Sequence, residues 1–113
     1  MTLGPLPRQA AGMDTLDRLE ATIRARRGAD AGTSYTASLF AKGRAKIAQK
    51  VGEEATETVI AALAAPDTLA AEAADLVFHL LVLLADAGLS LDDIRAELDR
   101  REGVSGHDEK ASR

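Results

Sequence analysis

The sequence predicts an all-α fold, an antiparallel bundle of four to five helices. Three observations predict it. Alanine and leucine dominate, and both are strong helix formers. The aromatic residues that favour strands are limited to Tyr35, Phe40 and Phe78. Glycine, proline and capping residues cut the chain into segments whose apolar residues recur at helical spacing.

Each element can be justified in turn. Residues 1–12, with Gly4, Pro5 and Pro7, read as a disordered N-terminal extension, and the single domain as residues 13–113. Asp14 caps a first helix to about Arg27, with Leu16, Leu19 and Ile23 as its apolar stripe and Gly28 as its stop. Residues 28–34 are a loop by composition. Ser34 then caps a short helix, Tyr35 to Lys42, which Gly43 ends. A long helix runs from about Arg44 to Ala64 and must finish before Pro66, which cannot continue the hydrogen-bond pattern. Gly52 inside it reads equally as close helix packing or as room for a ligand. A second long helix starts near Asp67 or Thr68 and ends at Gly88. Ser90 with Asp93 resembles a capping box and opens a final helix to about Glu102. The polar C-terminal tail, 103–113, has no apolar period.

Composition narrows the function. The 113 residues suit one domain with a modest core, which a second copy would help to complete. A net charge of −4 argues against nucleic acid as a partner. An acidic protein can still take a polyanion if a cation lies between them. The absence of cysteine removes disulfides, thiolate ligands and thiol nucleophiles, and fits a reducing cytoplasm. The longest apolar stretch, Leu76 to Ala85, is broken by His79 and falls short of the roughly 20 residues that span a bilayer, so no membrane is expected. The N-terminus lacks a basic start followed by an apolar run, and so does not read as a secretory signal.

The acids carry the chemistry. With one residue every ~100° of helix, Lys50, Glu53, Glu54 and Glu57 share an arc of about 100° that borders the apolar face formed by Ile47, Val51 and Ala55. A merely solvated acidic face would lie opposite that face. The next helix is apolar nearly all round from Leu76 to Ala85 and reads as central and buried. Yet Glu72, Asp75, His79 and Asp86 form a stripe about 60° wide along it. Buried carboxylates must pair, protonate or bind metal. Glu54-x-x-Glu57 and Glu72-x-x-Asp75 each place two carboxylates one turn apart, and the short link makes their helices antiparallel neighbours. Together the pairs suit a hard cation such as Mg²⁺, which prefers oxygen ligands and keeps positions open for phosphate oxygens. Lys50 reads equally as a phosphate contact or a salt bridge to Glu53 or Glu54. Lys42, with Arg44 and Lys46, reads as a second phosphate contact or a solvated charged face. His79 reads as a buried imidazole hydrogen-bonded to a carboxylate, supporting a ligand from behind, rather than as a ligand itself.

The blocks KVGEEATETV (50–59) and EAADLVFHLLVLL (72–84), with Ser34-Tyr35-Thr36 and the tail GVSGHDEKASR, resemble the phosphoribosyl-ATP pyrophosphatase (diphosphatase) family of histidine biosynthesis. That family sits within the all-α NTP pyrophosphohydrolase, or MazG-like, superfamily. The resemblance covers about residues 14–113 and departs nowhere at Glu54, Glu57, Glu72 and Asp75. It implies a MazG-like bundle completed by homodimerisation, and Mg²⁺ dependence with Mn²⁺ as a substitute. The implied reaction cleaves 1-(5-phosphoribosyl)-ATP between its α and β phosphates. For that reaction the expected catalytic set is Glu53, Glu54 and Glu57, with Glu53 as the spare carboxylate that orients or deprotonates water. The resemblance alone promotes Ser34 and Tyr35 from capping and packing to substrate binding, and Lys110 and Arg113 from a polar tail to phosphate contacts. The competing readings are a house-cleaning NTP or dNTP pyrophosphohydrolase and a non-catalytic helical dimerisation module. A di-iron bundle, built on Glu-x-x-His pairs, does not fit the spacing of His79. No G-x-x-x-x-G-K loop is present.

Overall fold

The computed structural model describes residues 14–103. The expected structures of residues 1–12 and of the tail beyond Gly103 lie outside the described residues. Among those described, five α-helices and one 3₁₀ turn account for the regular structure, with no strand: α1 Thr15–Ala25, α2 Tyr35–Lys42, α3 Arg44–Ala64, α4 Leu69–Asp86 and α5 Leu91–Arg101.

Local chemistry explains the boundaries. Asp14 accepts from the Asp17 amide and Ser34 from the Ala37 amide, so both serve as N-caps. Ser90 and Asp93 complete a capping box, each accepting from the other's backbone. Gly43, at φ +94°, both ends α2 and precedes α3, a conformation that a side chain at Cβ would oppose. The ends are slightly shorter than the sequence suggests. α1 stops at Ala25 because the next amides bond three residues back, Arg26 to Ile23 and Arg27 to Arg24. Pro66 opens a 3₁₀ turn, Pro66–Thr68, so α4 begins at Leu69. α4 ends at Asp86, two residues before Gly88. Among the described residues no atom outside its own helix backbone and chain neighbours lies within 4 Å of a Cβ built on Gly52, so close packing against another helix of the described chain does not account for that glycine.

α3 and α4 pack as an antiparallel hairpin, the most extensive contact between the described helices. The core gathers at the open end of this hairpin. Ile23 of α1, Leu39 of α2, Ile47 of α3, and Phe78, Leu81, Val82 and Ala85 of α4 form one buried cluster. The burial of α4 is narrower than its composition predicts. Val77 and Leu80 on α4 stay exposed, as do Val59, Ile60 and Leu63 on the last turns of α3. The segment Pro66–Asp86 contains an 18-residue window of mean hydropathy 1.8, enough by length and composition to cross a membrane, although its uninterrupted apolar stretch is shorter. In this fold it is the central helix of the bundle, and it carries Glu72 and Asp75 toward the carboxylates of α3.

Candidate active site

An antiparallel hairpin brings together residues equally distant from its turn. Glu57 therefore faces Glu72, Glu54 faces Asp75, and Ile47 meets Val82 in the core. One carboxylate oxygen each from Glu54, Glu57 and Glu72 lies within 4.8 Å of the others. Asp75, the expected fourth ligand, is outside that triad, but close enough for its charge to act on both Glu54 and Glu72.

The electrostatics of the group are unfavourable without a cation. Glu54 is buried at 7% exposure, and Glu54 Oε2 and Glu72 Oε2 are buried without a hydrogen-bond partner. Burial pushes the Glu54 carboxyl up to about 6; the adjacent Glu57 carboxylate and the charge of Asp75 add to the rise, and Lys50 offsets part of it. Glu72 is raised by burial first and then by Glu57 and Asp75. Two buried, unpartnered oxygens on carboxylates of one triad fit a hard divalent cation: the donors are all oxygen, and the ion would offset the charge that burial leaves uncompensated.

Around the triad, Lys50 forms ion pairs at 3.2 Å with Glu53 and 3.8 Å with Glu54. Glu53 also accepts from Gln49 Nε2 at 2.8 Å, and with Lys50 this holds its carboxyl below the usual range. Glu53 thus stands beside the triad as an ionised acceptor. Tyr35 stands across from them at the start of α2. Burial raises its phenol, with Lys50, Glu54, Asp75 and Glu53 as the charged groups acting on it. Its hydroxyl lies 2.8 Å from Nε2 of His79. The partners of His79 differ from the sequence expectation. Nδ1 meets the backbone carbonyl of Asp75 at 2.7 Å, and Nε2 the Tyr35 hydroxyl, so neither nitrogen meets a carboxylate. In a helix, a side chain reaches the carbonyl four residues back more readily than that residue's own carboxylate.

Some predicted residues are not brought in. Ser34 is occupied as the α2 cap. Lys42 sits in the last turn of α2, ~10 Å along the helix from Tyr35. Asp86, although on the same stripe of α4, is taken by Arg44, whose Nε donates at 2.9 Å. That pairing engages Arg44 with the C-terminal end of α4. Lys110 and Arg113 lie outside the described residues.

The comparisons with known proteins agree with this geometry. The family model described as phosphoribosyl-ATP pyrophosphohydrolase matches residues 16–102. The chain belongs to this family. A phosphoribosyl-ATP pyrophosphatase from Erythrobacter litoralis is 68% identical over 102 residues, covering 89% of this chain and 98% of that protein. Proteins of the same name from Rhizorhabdus wittichii and Sphingopyxis alaskensis are 66% and 63% identical, each covering 88% of this chain and 94% of the relative. The family match spans every described helix but the first residue of α1. It is a family of hydrolases of histidine biosynthesis, which sets the dimerisation-module reading aside.

Proposed function

We propose that this chain hydrolyses 1-(5-phosphoribosyl)-ATP to 1-(5-phosphoribosyl)-AMP and pyrophosphate in histidine biosynthesis, in the cytoplasm. Glu54, Glu57, Glu72 and Asp75 would hold Mg²⁺, or Mn²⁺ in its place. The observation that carries this reading is the triad Glu54, Glu57 and Glu72, drawn together from two helices, with a buried, unpartnered oxygen on Glu54 and on Glu72.

When bound, the cation neutralises phosphate charge and polarises the anhydride. The residues of the chain do the rest. Glu53, kept ionised by Lys50 and Gln49, accepts a hydrogen bond from the attacking water and takes its proton as the α–β anhydride oxygen leaves with pyrophosphate. The Lys50 ammonium, already drawn to this edge of the site, offsets charge on the departing group. Rigid helices hold all of these groups, so catalysis is chiefly positioning and electrostatics.

The working unit is a homodimer. Val59, Ile60 and Leu63 on α3, Val77 and Leu80 on α4, and Ile94 and Leu98 on α5 are exposed large apolar side chains. Those on α3 flank the acidic half of the hairpin, where the chain's own core does not reach. A second copy covering them would lower the cost of their exposure and close the site from water. Sedimentation velocity tests this: a dimer is expected, and a monomer at micromolar concentration would refute it.

The activity is tested by pyrophosphate release from phosphoribosyl-ATP with and without Mg²⁺, alongside the same assay on dNTPs. Metal-dependent turnover that favours phosphoribosyl-ATP is expected. Equal or faster turnover of dNTPs would replace the reading with a house-cleaning pyrophosphohydrolase.

A further inference from the structure

One buried group beside the carboxylates is left unused by the mechanism above. His79 is 2% exposed and makes two hydrogen bonds that determine each other. Its Nδ1 lies 2.7 Å from the carbonyl oxygen of Asp75, and its Nε2 lies 2.8 Å from the Tyr35 hydroxyl. A carbonyl oxygen only accepts, so the ring proton is on Nδ1. With the ring neutral, Nε2 is an acceptor and the Tyr35 O–H donates inward to it; an imidazolium would instead donate from Nε2 and leave the Tyr35 proton free. The ring has little freedom to turn. Phe78 meets it edge-on at 5.0 Å and 86°, and Tyr35 at 5.8 Å and 79°.

With its proton directed into the protein, the Tyr35 hydroxyl offers the site only lone pairs. Phosphate oxygens are acceptors as well, so the two would meet lone pair to lone pair. We propose that His79 is a positioning residue that makes Tyr35 a hydrogen-bond acceptor in the site, where Tyr35 orients an O–H group, either the attacking water or a ribosyl hydroxyl of the substrate. The proposal rests on the carboxylate-held cation and phosphoanhydride substrate described above. It sharpens the substrate-binding part that the family resemblance implies for Tyr35, making it an acceptor and not a donor to phosphate. Through the Asp75 carbonyl, the same imidazole ties the first turn of α2 to the turn of α4 that bears Glu72 and Asp75.

The tautomer can be read directly from imidazole ¹⁵N spectra of the full-length chain. The sequence has two histidines, His79 and His107, and the His79→Gln variant assigns the signal. A protonated Nδ1 with an accepting Nε2 is expected. A protonated Nε2 would overturn the proposal, because Tyr35 would then be free to donate to phosphate. In the Tyr35→Phe variant, kcat/KM for phosphoribosyl-ATP should fall on the order of tenfold, the scale of one lost hydrogen bond. The Kd of Mg²⁺-pyrophosphate should stay within about twofold, since no phosphate contact is lost. A fall in kcat identifies water as the donor; a rise in KM identifies a ribosyl hydroxyl. An unchanged kcat/KM, or a tenfold weaker pyrophosphate complex, would overturn the acceptor role. The double variant Tyr35→Phe/His79→Gln should be no slower than the slower single variant, because His79 acts through Tyr35. Multiplying losses would contradict that. The spectra and pyrophosphate binding need no turnover, so a protonated Nε2 or a weakened pyrophosphate complex would overturn the acceptor role even if phosphoribosyl-ATP proves not to be the substrate.

Discussion

The two ends of the α3–α4 hairpin use the same kinds of residue to opposite effect. At the open end, polar groups are answered. Arg44 donates to both the carboxylate and the backbone carbonyl of Asp86, at 2.9 and 3.0 Å. Arg27 donates to the Ala85 carbonyl at 2.8 Å, and its guanidinium lies over the Phe40 ring. Arg24 donates to Leu89, and Glu20 accepts from the Leu91 amide at 2.7 Å. These arginines satisfy carbonyls near the C-terminus of α4, where a helix leaves its acceptors unpaired. Near the turn, Glu54, Glu57 and Glu72 face one another, with Lys50 as the cation paired to Glu54, and two buried oxygens go unanswered. One stripe of α4 therefore contains a stabilising acid, Asp86, and acids that cost stability, Glu72 among them. The sign of the facing partners, rather than the position on the stripe, separates structure from function.

Substitutions should divide along the same line. The largest effect is expected at the acidic end. Glu57→Gln should lower kcat by about 10²-fold or more, since a proposed cation ligand is lost, while circular dichroism stays native and the metal-free Tm does not fall. Near-wild-type turnover at saturating Mg²⁺ would remove Glu57 from the site.

The second effect is on stability as a function of pH. The Glu54 carboxyl has a folded value of about 6 against 4.5 for a free side chain. Between those values the folded chain binds more protons than the unfolded one, so its metal-free stability falls as pH rises from about 4.5 through about 6. A cation that takes the ionised carboxylate reverses this. The rise in Tm produced by Mg²⁺ should therefore grow from about pH 5 to about pH 7, and Glu54→Gln should flatten both trends. A Mg²⁺ effect independent of pH would contradict the shared role of Glu54.

At the open end the change should reach stability alone. Arg44→Met should cost on the order of 1 kcal/mol in denaturant unfolding, since the pair is exposed, and leave kcat within about twofold. A large loss of turnover would return Arg44 to the substrate site. The smallest effect is expected away from the hairpin. Ser90→Ala removes the cap of α5 and should cost about 1 kcal/mol, a few degrees in Tm, with no kinetic change.

What the sequence made legible follows the range of the interactions. Caps are local, so Asp14, Ser34 and the Ser90–Asp93 box could be read directly. The carboxylate cluster was legible because helical periodicity sets its face and Pro66 sets the turn about which Glu57 mirrors Glu72 and Glu54 mirrors Asp75. Tyr35 was not legible from chemistry, because its partner His79 lies 44 residues away and no spacing rule connects them. The partners of Arg27 and Arg24 were hidden for another reason: they are backbone carbonyls, which residue type does not encode. Lys50 was ambiguous in sequence, and the ion pairs to Glu53 and Glu54 show both that it is engaged and that it stands at the site.

The contrast between the two ends reduces to whether the crowded carboxylates hold a divalent ion. Electron paramagnetic resonance of Mn²⁺ titrated into the protein measures this without substrate or turnover. A bound Mn²⁺ population that is lost in Glu72→Gln and kept in Arg44→Met is the predicted result. Mn²⁺ that stays entirely free, or binds Glu72→Gln as tightly as the wild type, would contradict the account.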